Sequence, residues 1–313
     1  MRLPALAFGV LAVALMLLAQ IIPWLEFVYI LALAKGFAAL GVALLLRANL
    51  ISIGHALFFG FGAYVTAFLG QGRVVADLPL LLVVSTLVTA VLGFVIGAFV
   101  VRYRGIFFAM LNLALSMVFF SLLSKLYGIT GGTDGLRVAA PTLFGVSVGR
   151  STLQSVLLYG SLLLLAGVGY LVHRYLYSPS GQALSAISTN ELRLEYLGIS
   201  VTRVLLTTYC ISAGLAGLGG ALTALAIGHV LPEMSYWTIS GQLVLIAVLG
   251  GIGGVPGPFL GAVFFETVHA LAPGYIAEAW SLIIGASLIG VIFFLPGGLY
   301  SLMQTIPHGR PPR

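Results

Sequence analysis

Apolar residues run along this chain in stretches of about 20, the length a helix needs to cross the hydrocarbon core of a bilayer. The stretches fall at about 3–22, 27–46, 49–70, 78–101, 105–124, 152–172, 204–227, 238–252, 258–272 and 280–296. They predict about ten crossings. One long polar interruption breaks the pattern: from His173 to Arg203 the chain reads HRYLYSPSGQALSAISTNELRLEYLGISVTR. A segment so charged and so rich in helix-start signals belongs outside the lipid.

Ser178-Pro179-Ser180 signals a helix start, and Ser188-Thr189-Asn190-Glu191 fits a capping box in which hydroxyl and carboxylate satisfy each other's free N–H groups. Leu197-Gly198-Ile199 has the form of a glycine C-cap. Two short helices are therefore expected, at about 180–187 and 189–197. Ala183, Ile187, Leu194 and Leu197 recur near helical spacing and, with Glu191, Arg193 and Glu195, predict a mixed apolar and charged face. A free surface helix does not account for so much apolar surface on so short an excursion, which points to a docked partner.

Composition fixes the class. Of 313 residues 60% are hydrophobic and 7% charged, too few charges to cover a water-facing surface. Continuous apolar runs, rather than alternating ten-residue segments, select helices over a barrel. The fold expected is all-α: one polytopic bundle over 1–313 with the 173–203 insert within it. The formal charge of +6 does not point to nucleic acid, because Lys and Arg stand singly at the ends of apolar runs. With the N-terminus inside, Arg2, Arg47, Arg102, Arg104, Arg174, Arg193, Arg203, Arg310 and Arg313 fall inside, against Arg73, Lys125, Arg137 and Arg150 outside. Nine against four places the insert and both termini in the cytoplasm and the 125–151 loop on the far side. The first apolar run, continuing to Ile22, is longer than a signal-peptide core and predicts a retained helix. A single cysteine, Cys210, gives neither a disulfide framework nor a metal site.

Two glycine-rich stretches match. Ile53-Gly54 followed by Gly62-Ala63 recurs as Ile252-Gly253 followed by Gly261-Ala262, and the second copy adds Gly251, Gly254, Pro256, Gly257 and Pro258, which predict a break. Such pairs mark either a transport pathway or close helix packing. Both copies have the same orientation. Gly54, His55, Gly60, Asn112, Gly253, Gly257 and Glu266 are the pathway candidates, His55 and Asn112 being equally suited to interhelical hydrogen bonds. Lys35 either snorkels or meets a carboxylate such as Glu26 or Glu266. Thr130–Leu136, TGGTDGL, predicts a tight turn with Gly131, Gly132 and Gly135 at positive φ and Asp134 bonded to its own backbone.

No GxxxxGK[ST] loop exists, since Lys35 and Lys125 follow Ala34 and Ser124; this chain is not an ATPase. HExxH and histidine pairs at metal spacing are also missing. Gly145 to Gly149 matches GxSxG with Ser147, but in an outside loop with no sheet-forming domain around it.

The run SPSGQALSAISTNELRLEYLGIS resembles the cytoplasmic coupling segment of inner-membrane permeases of ABC importers of the branched-chain amino-acid type. RGIFFAMLNLAL, TGGTDGL, SIGHALFFGFGAY, LGGIGGVPGPFLGA and FFLPGGL also look like that family, in its order, over roughly 27–300, with most similarity to the M-type subunit. Gln182 stands where a basic residue is common there. The resemblance implies a bacterial inner-membrane permease paired with a second similar permease, two ATPase subunits and a soluble substrate-binding protein. ATP would be bound on the partner subunits, with no cofactor on this chain. Gly181, Ala183, Ile187, Glu191, Glu195 and Gly198 would be the ATPase-coupling residues, and branched-chain amino acids or a related small amino acid or amide the substrates. The competing expectation is a secondary transporter of a small neutral or zwitterionic solute, coupled to protons through Glu266.

Overall fold

Apolar runs of this length become helices because only a helix satisfies its own backbone hydrogen bonds without water. The computed structural model describes residues 23–72, 76–147, 149–275 and separate positions between 282 and 301. Its helices are α1 (Pro23–Leu46), α2 (His55–Gln71), α3 (Leu78–Val100), α4 (Gly105–Lys125), α5 (Arg150–Leu176), α6 (Pro179–Ile187), α7 (Glu191–Tyr196), α8 (Val201–Ile227), α9 (Trp237–Gly250) and α10 (Pro256–Tyr275). Only two-residue strand pairs interrupt this all-α architecture among the described residues. Helices α1, α3, α4, α5 and α8 are long and apolar enough to cross a membrane. The expected span at 3–22, and most of that at 280–296, lie outside the described residues.

Two expected spans are shorter than their apolar runs. The run at 49–70 yields a helix only from His55, because α1 ends in a left-handed turn at Asn49, φ 58°. There the Asn49 N–H reaches Leu46 O at 3.0 Å and the Leu50 N–H reaches Leu45 O at 3.1 Å, a paired closure that asparagine tolerates better than most non-glycine residues. Helix α9 stops at Gly250 because Gly251 takes φ 94°. Its 14 residues rise about 21 Å, short of the roughly 30 Å core, so α9 alone does not make the crossing expected at 238–252.

Helix α8 is the hub: it packs against α1, α2 and α3 at once, and every residue from Ser212 to Ala226 is buried. Its sequence permits this by placing a different small residue toward each neighbour. A Cβ added at Gly219 would lie 2.3 Å from Ala34 O on α1, at Gly220 1.8 Å from Phe59 O on α2, and at Gly217 2.5 Å from the Thr89 side chain on α3. Lipid tails are as apolar as leucine, so helices gain little from hiding apolar surface from one another and hold through such close approach. Helices α9 and α10 pack on each other and on α1, whereas the outer faces of α3, α4 and α5 leave Val91, Phe107 and Leu163 exposed.

The bundle has two dissimilar ends. At one lies the 177–200 insert; at the other, Leu136–Arg137 pairs antiparallel with His229–Val230, and Thr142–Leu143 with Val146–Ser147. Ser147 therefore lies on a hairpin strand opposite Thr142. Gly131, Gly132 and Gly135 all take positive φ, as the TGGTDGL turn requires. Asp134 does not bond its own backbone as expected: its carboxylate accepts from the Tyr127 hydroxyl at 3.1 Å, which lies within reach because the turn folds back on the helical turn Tyr127–Thr130. Asp77 accepts from the Thr142 hydroxyl at 2.7 Å and the Gly145 N–H at 3.0 Å, and these bonds hold its pKa below the usual carboxylate value.

The hub predicts a contrast between two glycine-to-alanine changes. Gly220→Ala pushes a methyl into the α2 backbone and should cost about 1–3 kcal/mol or more. Gly160→Ala meets open space on α5 and should be neutral or gain about 0.5–1 kcal/mol of helix propensity. Thermal unfolding of the detergent-solubilised chain reads both, and equal melting of the two variants would contradict the seam.

Candidate functional site

The insert is built as two capped helices on a firm seat. Ser178 caps α6 by accepting from the Gly181 N–H at 3.3 Å, with Pro179 at the first helical position, where its missing N–H costs nothing. Gly181 lies against the end of α5, where an added Cβ would stand 2.2 Å from Tyr175 O. Ala183, Leu184 and Ile187 are buried in a cluster with Leu45, Leu50, Val101 and Leu205. Helix α7 is capped by Asn190, whose Oδ1 accepts from the Arg193 N–H at 3.1 Å. It ends in a glycine closure at Gly198, φ 78°, with Gly198 N–H to Glu195 O at 2.9 Å and Ile199 N–H to Leu194 O at 3.0 Å.

Two expectations change here. The Ser188–Glu191 capping box does not form: the Ser188 hydroxyl donates to Ser185 O at 2.8 Å, and Glu191 is drawn instead to Arg104 at the start of α4, Nε to Oε1 2.7 Å. Gly181, Ala183 and Ile187 face the chain's own core rather than outward, because α6 packs on α8 and α5, in one buried cluster with Leu45 and Val101. Leu194 is buried with them, while Leu197, expected on the same face, sits on the closing turn beyond the last buried position and is 71% exposed. The surface left open is Leu192, 64% exposed, Tyr196, 89%, and Leu197, with Glu195 and Gly198 beside them and Glu191 at the edge. Three apolar side chains thus stay uncovered on one and a half turns of helix, next to the buried Leu194. Behind this surface the Tyr175 hydroxyl bonds Thr208 Oγ1 at 2.8 Å, tying α5 to α8, so the insert sits on α4, α5 and α8 together.

Four of the pathway candidates come together along α2. His55, fully buried, engages Ser52 Oγ at 2.7 Å through Nδ1 and Ser212 Oγ of α8 at 2.6 Å through Nε2. Asn112, 2% exposed, donates to Phe108 O at 2.8 Å and accepts from the Tyr209 hydroxyl at 2.5 Å. Gly54 abuts the Asn112 carbonyl, and Gly60 abuts the Ser235 hydroxyl. In this structure all four make contacts between elements of the bundle, and none of them lines the cavity beside the insert. Gly257 likewise packs on Gly251 O at the α9–α10 corner. Gly253 stands apart from both groups, on the wall of a cavity beside the insert. Each glycine-rich copy is thus a helix, a corner at positive φ (Asn49 or Gly251) and a second helix. Glu266 meets Lys35, Nζ to Oε1 2.6 Å, on the α1–α10 seam.

Sequence reasoning passed over three features. The GLAGLGGAL hub at 214–222 was legible as small residues four apart, Ala213, Gly217 and Ala221. The Arg104–Glu191 pair, 87 positions apart, had no local signal. Tyr64 and Ser235 carry buried hydroxyl oxygens without a hydrogen-bond partner among the described residues, and single polar residues in apolar runs do not announce this.

Comparison with known proteins gives a consistent picture. The family model described as the permease component of the branched-chain amino acid transport system matches residues 24–292. The high-affinity branched-chain amino acid transport system permease protein LivM of Salmonella typhimurium is 31% identical over 281 residues, and its Escherichia coli counterpart 29% over 277. Each alignment covers 82% of this chain and 65% of the relative, so the chain spans about two thirds of those proteins' length. The permease protein LivH of Salmonella typhimurium is 28% identical over 179 residues, 53% of this chain and 57% of its own. No solved structure matches.

The Lys35–Glu266 pair is almost closed to solvent, with side chains 15% and 5% exposed. Glu266→Gln leaves a buried ammonium unpaired and should cost about 3–5 kcal/mol, whereas Lys35→Met with Glu266→Leu should be near neutral. Thermal unfolding of the three proteins decides, and a double variant as unstable as the single one would show that pairing is not what matters.

Proposed function

The chain belongs to the branched-chain amino acid transport permease family, and on that premise we propose that it is the membrane-spanning permease subunit of an ATP-driven importer. The substrates are branched-chain amino acids or a related small amino acid or amide, in keeping with the names of its relatives. Among the described residues the helix interior holds one ion pair, Lys35–Glu266, beside neutral polar groups, which supports a zwitterionic or neutral solute, since a net charge would call for compensating groups in the membrane. The chain crosses the membrane about ten times, with the insert and both termini in the cytoplasm, and works beside a second, similar permease. Similarity to both LivM and LivH supports that pairing. Two ATPase subunits dock on the insert, and a soluble binding protein delivers substrate at the opposite end.

The observation that carries this reading is the capped α6–α7 unit, whose inner side is locked into the bundle and whose outer side presents Leu192, Tyr196 and Leu197 uncovered. ATP-driven closure of the ATPases displaces that face. Because Arg104–Glu191 and the buried side of α6 join it to α4, α5 and α8, the displacement reaches the spanning helices and alternates access. The proton-coupled alternative needs a carboxylate free to exchange protons, and Glu266 is held by Lys35.

Uptake into vesicles carrying the importer tests the proposal. Tyr196→Asp and Leu197→Asp alter only exposed side chains and should lower ATP-driven uptake at least about tenfold, the loss of one interface hot spot, while membrane levels stay normal. Glu191→Lys sets two cations face to face at Arg104 and should abolish uptake. Uptake that persists without ATP and collapses with the proton gradient would sink the reading.

A further inference from the structure

Beside the insert, where the ends of α1 and α5 meet the corner before α10, lies a half-open cavity of about 820 Å³. Its walls divide by chemistry. At one end are Arg47, His173, Gln182, Ser185 and the rings of Tyr177 and Tyr300; two turns earlier on α5 are Leu165, Ala166 and Gly169, with Val255 against Gly169. Among the described residues no carboxylate lines it. The Arg47 side chain makes no hydrogen bond or ion pair among the described residues, and its burial lowers its pKa from the usual value, with Tyr177 and Tyr300 opposing the shift. A guanidinium remains charged at any physiological pH, so this one is partly desolvated with no carboxylate against it among the described residues. The tyrosines are placed as at a membrane–water interface: Tyr170 and Tyr177 are exposed on the last turns of a membrane-length helix, and His173 lies against Tyr177 with ring centroids 4.6 Å apart.

We propose that this cavity binds an anionic phospholipid, its phosphate on Arg47 and His173 and its acyl chain along Leu165, Gly169 and Val255. A basic pocket between helices at the membrane surface recognises a phosphate, and arginine does so with two parallel N–H donors. The volume falls in the range of about 300–1,000 Å³ of ligand pockets; it holds the headgroup and the start of a chain, and the remainder leaves by the open side of the cavity into the bilayer. A carboxylate from a docked soluble subunit would satisfy Arg47 but leave the apolar end empty, which is why a lipid fits better. The site lies behind the docking face, so a bound lipid would wedge α6 against α5 and the α10 corner and set how stiffly the insert is held. The inference needs only that the chain sits in a membrane and stands apart from the nature of the transported solute.

Native mass spectrometry of the delipidated full chain, titrated with phosphatidylglycerol, phosphatidylcholine or inorganic phosphate, tests it. Phosphatidylglycerol should bind at least about tenfold more tightly than phosphatidylcholine, a difference of about 1.4 kcal/mol. Arg47→Gln should remove most of that preference, Arg47→Lys should retain part of it, and Arg174→Gln, an exposed cation outside the cavity, should leave it intact. Ala166→Trp, which fills the apolar end without touching charge, should weaken phosphatidylglycerol binding; with Arg47→Lys it carries the test if Arg47→Gln does not fold. Equal binding of the two lipids, an unchanged Arg47→Gln, or displacement of phosphatidylglycerol by equimolar inorganic phosphate would overturn the proposal. The last result would make this a site for free anions, and retention of the preference in Ala166→Trp would place the lipid elsewhere.

Discussion

Three helices approach α8 so closely that glycine is the only residue that fits at the contact points, Gly219 against α1, Gly220 against α2 and Gly217 against α3. Within a bilayer this approach is the source of cohesion, since dispersion between backbones in contact replaces the burial that stabilises a soluble core. Once α8 is fixed, much else follows. Its N-terminal end stands beside α7 and seats the insert; its C-terminal end leads through Gly228, in the left-handed region, into the strand that pairs with Leu136–Arg137. The two ends of the molecule are thus joined by one straight, buried element of 27 residues, about 40 Å long.

Local signals in the sequence were reliable where the structure also keeps them local. Ser178 and Gly198 cap as their neighbours imply, Asn190 takes the capping role two residues on from the serine expected to fill it, and the glycines of TGGTDGL adopt the φ angles they are there to supply. Long-range partners were not legible. Glu191 abandons a capping box for Arg104, and the apolar side of α6 packs on α5 and α8 of the same chain. A helical stripe of Ala183 and Ile187 records that something covers it and cannot record what. In the same way Gly54, Gly60 and Gly257 marked close approach correctly, while their reading as a pathway required knowing that an opening exists beside them.

The polar residues of the membrane part follow a comparable rule. His55, Ser52, Ser212, Asn112, Tyr209 and Ser240 form contacts between α2, α4, α8 and α9, each hydroxyl or ring nitrogen finding a partner within the bundle. Buried polar groups left unpaired in lipid cost several kcal/mol, which explains why such residues gather on facing surfaces. It also explains why a histidine in a span, often taken as a sign of chemistry, serves here to join helices.

These two kinds of seam differ in what it takes to part them. Separating α8 from α1 or α2 at Gly219 or Gly220 forfeits dispersion contacts for which neither lipid nor water offers an equal exchange. Separating groups such as His55 and Ser212, or Asn112 and Tyr209, exposes donors and acceptors that water satisfies nearly as well as the protein does. A protein that must open an aqueous route without unfolding therefore does best to keep glycine contacts where it stays closed and hydrogen bonds where it parts. The insert rests on both kinds of support, buried beside α8 on one side and held to α4 through an ion pair about one-third exposed on the other. Its contact with α8 is closed to water and its contact with α4 is open to it, so of the two supports the ion pair is the one that water can replace.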